Sequence, residues 1–218
     1  MIKKNFFKRL ISSIILIPLA LFVIIKGSIL FNFFIIICFL IMSYEWHNMC
    51  KKKSYYPFGF IVLILSFYTI YELIDFADDY TYFLTITLIC VSTDIGGYTF
   101  GKIFKGPKLT KISPNKTYSG MLGGYLLSII LISITIQTSF IFSNKSQISI
   151  GILAFVFSIS TVSQLGDITI SYFKRLSKVK DTGKIIPGHG GLLDRLDGMI
   201  FAFPFSYLIL STNIFKII

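Results

Sequence analysis

Residues 118–142 read YSGMLGGYLLSIILISITIQTSFIF, an apolar run with no charged side chain. A helix crossing the hydrocarbon core of a bilayer needs about 20 such residues, so the run predicts a membrane span. Six more apolar segments lie outward from it: Leu10–Ile25, Ser28–Tyr44, Pro57–Tyr71, Tyr80–Thr93, Ile148–Gly166 and Leu192–Thr212. Tyr80–Thr93 is short for a full crossing and reads as tilted, re-entrant or supported by its neighbours. The expected fold is an all-α polytopic membrane protein with about seven transmembrane helices. It forms a single domain over residues 1–218, with N-terminal spans in 1–93 and a motif-bearing part in 94–204.

Composition agrees. The chain is 54% hydrophobic and 14% charged, with mean hydropathy +0.77. That excludes an ordinary soluble globule, and the short alternating strands of an outer-membrane barrel are absent. A net charge of +11 can orient helices, attract anionic lipid or hold a phosphorylated substrate. Because it is scattered between apolar spans rather than set on one soluble face, nucleic-acid binding is not expected. Cys38, Cys50 and Cys90 form no CxxC pair, so neither a disulfide framework nor a zinc site is expected. The first apolar segment follows basic residues but precedes no small-x-small cleavage site, and it reads as a retained span.

Charge placement then orients the chain. With the N-terminus in the cytoplasm and seven alternating segments, all of the 21 basic residues except Lys26, Lys145 and Lys216 fall inside. The acidic run Glu72, Asp75, Asp78 and Asp79 falls outside, a positive-inside pattern. Both long polar segments, Asp94–Thr117 and Asp167–Gly191, then face the cytoplasm with its nucleotides and metal ions. The expected location is a cytoplasmic membrane, with the active site at its cytoplasmic face.

The densest polar stretch is KDTGKIIPGHGGLLDRLDG, Lys180 to Gly198. Asp194 and Asp197 are three apart, which on a helix stacks both carboxylates on one face. Asp167 closes the preceding segment, and a hairpin of the last two helices would bring the three together. Carboxylates so grouped raise one another's pKa unless a cation sits among them, and Mg2+ suits such oxygen donors. The plainer alternative is a charge cluster favoured by a helix N-terminus. Lys174, Arg175, Lys180, Lys184 and Arg195 make the same loop basic. Phosphoryl and nucleotidyl transfer need this interleaving, with carboxylates on the metal and cations on phosphate oxygens. Gly188, Gly190 and Gly191 flank His189, and such a turn brings backbone N–H groups close to an anion. His189 reads either as a group that orients a phosphate or moves a proton, or as a residue of a structural turn. Upstream, Asp94 ends an apolar run and is followed by glycines and lysines, with Ser113, Lys116 and Thr117 among them. An acid at a membrane border usually has a partner or a function. Gly120, Gly123 and Gly124 also read as close helix packing.

These residues resemble a known family, the bacterial phosphatidate cytidylyltransferases or CDP-diacylglycerol synthases. The resemblance runs through Ser171, Lys174–Arg175, Lys180–Asp181, His189–Gly190–Gly191, Asp194–Arg195 and Asp197. It extends to Asp94, Gly97, Tyr98, Gly101, Ser113–Pro114, Lys116–Thr117, Gly120 and Gly166–Asp167, about half of the chain. It departs at Ile170 and Ser119, where relatives often carry glutamate, and at Ile95, where they often carry Ser or Thr. The resemblance implies that CTP and phosphatidate react, with Mg2+, to give CDP-diacylglycerol and pyrophosphate.

The resulting expectation places Asp167, Asp194 and Asp197 on Mg2+. Lys174, Arg175, Lys180, Asp181, His189 and Arg195 form the catalytic set. Asp94, Ser113, Lys116, Thr117, Gly190 and Gly191 bind substrate. Membrane lipid is the expected surrounding, and a homodimer rests on the resemblance alone. The alternatives are a CTP-dependent lipid kinase, which would release CDP, and a non-catalytic transporter-like homologue, whose charges would lie within the spans.

Overall fold

The structure, a computed structural model, describes residues 18–20, 22–24, 26–77, 79–138, 149–186, 188 and 190–215. Every regular element of helix length among them is α: α1 (Ser28–Cys50), α2 (Tyr56–Ala77), α3 (Thr81–Phe104), α4 (Tyr118–Gln137), α5 (Ile150–Leu176), α6 (Leu193–Leu196) and α7 (Met199–Thr212). Pairing of the β type is confined, among the described residues, to isolated bridges at Lys108–Thr117 and Ile186–Gly190. The helices α1 to α5 are each long and apolar enough to cross a membrane, and α7 is a shorter apolar helix. The chain therefore has the character of an integral membrane protein. Most of the predicted first span, Leu10–Ile25, lies outside the described residues.

Three helix boundaries differ from expectation. The segment predicted at Tyr80–Thr93 is a full helix that runs on to Phe104, so Asp94 stands within α3 rather than at its end. The segment predicted at Ile148–Gly166 continues through Asp167 to Leu176. The last segment is broken: α6 has four residues, and α7 starts only at Met199. Asp194 and Asp197 therefore do not share one helical face.

The chain forms two compact units, one made of residues 1–67 and 173–196, the other of 68–172 and 197–218. In the first, α1 is apolar on every side, so hydropathy cannot choose its packed face. Burial does: Phe31, Ile35, Cys38, Met42, Trp46 and Met49 are buried at intervals of three or four residues, while Ile29, Phe33, Ile36, Ile37 and Leu40 are exposed. In lipid the exposed stripe costs nothing, and side-chain packing selects the other. Trp46 anchors this face. Its indole N–H donates to the Tyr56 carbonyl at 2.8 Å, and its ring meets Phe173 edge-on at 5.4 Å. Tyr55 and Ser177 hydroxyls lie 2.9 Å apart, tying the α1–α2 turn to the end of α5.

In the second unit α3 and α4 meet backbone to backbone. A Cβ on Gly96 would collide with the Gly123 carbonyl, and one on Gly120 with the Gly97 carbonyl. This is the small-residue seam by which membrane helices approach closely, as expected for Gly120, Gly123 and Gly124. It also explains why α3 continues through its glycine-rich part: those glycines are packed against α4. Thr93 and Ser160 hydroxyls join α3 to α5 at 2.8 Å, and Phe83 stacks on Phe203 of α7 with centroids 5.3 Å apart. Residues 105–117 fold back on themselves, with Leu109 N–H donating to the Lys116 carbonyl and Tyr118 N–H to that of Pro107.

Candidate active site

In the first unit the final turn of α5 carries Lys174, whose Nζ lies 2.9 Å from Asp194 Oδ1. Their side chains are 12% and 6% exposed. The other oxygen, Asp194 Oδ2, accepts the N–H groups of Thr182 at 2.9 Å and Gly191 at 3.0 Å. One carboxylate thus takes an ammonium and two amides, the strong, charge-assisted kind of hydrogen bond. The chain can turn back here because Gly190 has φ +93°, a conformation that costs glycine little. The turn is closed by Ile186 N–H donating to the Gly190 carbonyl at 3.0 Å.

A second carboxylate enters from α1. Glu45 is 1% exposed. Its Oε2 accepts from the Thr182 hydroxyl at 3.1 Å and from Leu193 N–H at 2.8 Å, and its Oε1 from Leu192 N–H at 3.0 Å. Three consecutive amides, at 191, 192 and 193, therefore end on two carboxylates. Sequence reading missed Glu45, because the apolar segment was ended at Tyr44, one residue short of it. A lone acid at the margin of an otherwise apolar span was the signal available.

In the second unit Lys116 Nζ lies 2.6 Å from Asp167 Oδ2, with side chains 23% and 29% exposed. Ser171 donates to Asp167 Oδ1 at 3.3 Å. Thr117 caps α4, its hydroxyl accepting from Gly120 N–H at 3.1 Å, and this assigns it a structural task besides any contact with a substrate. Ser119 donates its hydroxyl to the Lys105 carbonyl. Ser113 holds the preceding turn, with its N–H on Thr110 Oγ1 at 3.1 Å. Asp197 is buried, and its Oδ1 accepts from Gly198 N–H at 3.0 Å.

The structure thus brings Lys174, Asp194 and Gly191 together, and likewise Lys116 and Asp167. Arg175, Lys180, Asp181 and Arg195 are exposed, as is Asp94 on α3. Ile170, at a position where the resemblance suggests glutamate, is buried. His189 lies outside the described residues. Gly191 N–H is committed to Asp194 rather than open to an anion.

The expected metal set can be tested against this geometry. Among the described residues no group of three or more His, Cys, Asp or Glu side chains is placed to hold an ion. Asp194 has both oxygens engaged, by Lys174, Thr182 and Gly191, and Asp167 likewise by Lys116 and Ser171, so either would share its oxygens between those partners and an ion. Asp167 and Asp197 offer hard carboxylate oxygens, the donor type Mg2+ takes, and Mg2+ needs only one or two of them beside substrate phosphates.

A membrane-embedded helical chain with cation–carboxylate pairs at its polar segments belongs to the cytidylyltransferase family, whose model matches residues 58–213. Among its relatives, a Rickettsia felis protein named phosphatidate cytidylyltransferase is 35% identical, over 95% of this chain and 93% of its own length. A protein of the same name from Rickettsia prowazekii is 36% identical over 95% of this chain and 92% of its own. One from Bacillus subtilis is 39% identical over 60% of this chain and 48% of its own.

Proposed function

We propose that this chain transfers the cytidylyl group of CTP to phosphatidate, giving CDP-diacylglycerol and pyrophosphate in phospholipid synthesis. The observation that carries this reading is similarity over nearly the whole chain to proteins named phosphatidate cytidylyltransferase. The buried Lys174–Asp194 pair, with its amide-bound loop, supports it from the chemistry of the residues. A phosphatidate phosphate oxygen attacks the α-phosphorus of CTP, and the bond from that phosphorus to the bridging β-oxygen breaks. The electron pair leaves with pyrophosphate. The attacking phosphate is already ionised near neutral pH, so the protein's contribution is mainly positioning and charge.

In the first unit Lys174, Arg175, Lys180 and Arg195 offset phosphate charge, and Asp194 fixes the Lys174 ammonium. Asp181 and His189 complete this group, His189 orienting a phosphate or moving a proton, with Gly190 and Gly191 shaping the loop. In the second unit Lys116 and Ser113 meet phosphate or cytidine, Thr117 sets the start of α4 beside them, and Asp94 adds a polar contact. Mg2+, when bound with the nucleotide, would neutralise phosphate oxygens, with Asp167, Asp194 and Asp197 as the protein donors this reading assigns to it. The polar segments face the cytoplasm of the bacterial inner membrane, with the N-terminus on the same side, seven helices in all, and a homodimer as the assembly.

The test is turnover by purified protein in detergent micelles with phosphatidate, Mg2+ and CTP labelled at the α-phosphate. Label entering lipid with equal pyrophosphate is the expected result. Release of CDP would mean a lipid kinase instead, and neither product from folded protein would mean a non-catalytic homologue. Asp197→Asn should raise the Mg2+ concentration needed for half-maximal rate by about ten-fold. An unchanged Mg2+ requirement would remove Asp197 from the metal.

A further inference from the structure

We propose that Glu45 is a positioning residue for this reaction: from α1 it clamps the neck of the Thr182–Leu193 loop and so fixes Asp194 and Lys174. The inference rests on the functional reading above, and it draws on a residue outside the matched segment 58–213. The Glu45 carboxylate is almost wholly buried, which is tolerable only if its oxygens are well supplied with donors. It receives the Thr182 hydroxyl at the start of the loop and the amides of Leu192 and Leu193 at its end. Asp194 takes the two remaining groups at the same neck, the amides of Thr182 and Gly191. Glu45 and Asp194 therefore share Thr182, one through the hydroxyl and one through the amide. Moving Glu45 shifts the donor that orients Asp194, and Asp194 holds the Lys174 ammonium at 2.9 Å.

The glycines of the neck record how closely the carboxylate approaches. At Gly183 the three nearest atoms to an added Cβ all belong to Glu45, the first being Oε1 at 2.5 Å. At Gly191 the added Cβ would meet Thr182 Oγ1 and Glu45 Oε2. At Gly183 the Glu45 carboxylate fills the space a side chain would take, and at Gly191 the Thr182 hydroxyl and Glu45 fill it together.

Glu45→Gln keeps the shape but turns one oxygen into an N–H2 group facing donors. Displacement of a reacting group by about 1 Å can cost on the order of 10²-fold in rate. The expected result is a fall in kcat of that order per folded molecule, beyond the lowered melting temperature that an N–H2 group facing buried donors brings. Hydrogen exchange at the amides of 191–193 should quicken by at least about ten-fold. Thr182→Val, which removes one donor of the clamp, should give the same pattern more weakly.

Gly183→Ala supplies a second, independent test. It should impair the wild type but add no further loss in Glu45→Ala, because the obstructing carboxylate is gone. Wild-type kinetic constants in Glu45→Gln would overturn the proposal. So would a loss explained wholly by fewer folded molecules with unchanged KM, or additive effects of Gly183→Ala and Glu45→Ala. If the wild type itself makes no CDP-diacylglycerol, the functional reading fails separately. The clamp is then judged by exchange alone, and unchanged exchange at 191–193 would overturn it.

Discussion

The two polar centres hold their carboxylates by different means. In the first unit Glu45 and Asp194 are nearly sealed from solvent and rest mostly on backbone amides, with the Lys174 ammonium paired to Asp194. In the second, Asp167 meets Lys116 while both side chains stay about a quarter exposed. Backbone donors cannot swing away as a lysine can. The first arrangement is therefore rigid and expensive to disturb, whereas the second is adjustable and contributes little to folding.

Substitutions separate the two. Asp194→Ala should have the largest effect, because it strands the Lys174 ammonium and leaves two amides unpaired in a buried site. Breaking a buried pair costs about 3–5 kcal/mol, and a denaturant titration should register a loss of that size with activity down roughly 10³-fold. A midpoint unchanged from the wild type would mean that the neck is not a stabilising element. Asp167→Asn should split these quantities. Turnover should fall by roughly 10²-fold, while the folding free energy moves by no more than the ~1 kcal/mol typical of a partly solvated pair. Equal losses in both measurements would erase the contrast between the units. The smallest effect belongs to Thr117→Ala, which removes the cap of α4 and should cost about 1 kcal/mol. Thermal melting checks this, and a turnover loss larger than that stability change would return Thr117 to the substrate contacts.

Much of the fold was legible because spanning helices announce themselves by length and hydropathy alone. What hydropathy could not supply was where those helices stop. The segments Tyr80–Thr93 and Ile148–Gly166 were each closed just before an aspartate, yet α3 continues past Asp94 and α5 past Asp167. In α3 the continuation is held by packing of Gly96, Gly97 and Gly101 on α4, a tertiary effect with no local signature. The Lys174–Asp194 and Lys116–Asp167 pairs join residues that the interleaving of charge had already singled out. Their pairing was not readable, since spacing on an assumed single helix had put Asp194 beside Asp197. That assumption fails because the helix stops at Leu196 and restarts at Met199, while Gly198 packs against Ser163, where a Cβ would clash. Glu45 escaped for a different reason, since its partners lie more than a hundred residues away along the chain.

The entry of Glu45 from α1 bears on how small a working fragment of this chain can be made. A truncation that kept only the family-matched stretch would begin after α1, and would discard both Glu45 and the Trp46 anchor while keeping every residue of the charged signature. Such a fragment would hold the reactive groups but not the means of arranging them. The minimal unit for expression or transplantation therefore starts upstream of Glu45, with α1 treated as part of the catalytic apparatus rather than as a disposable membrane anchor.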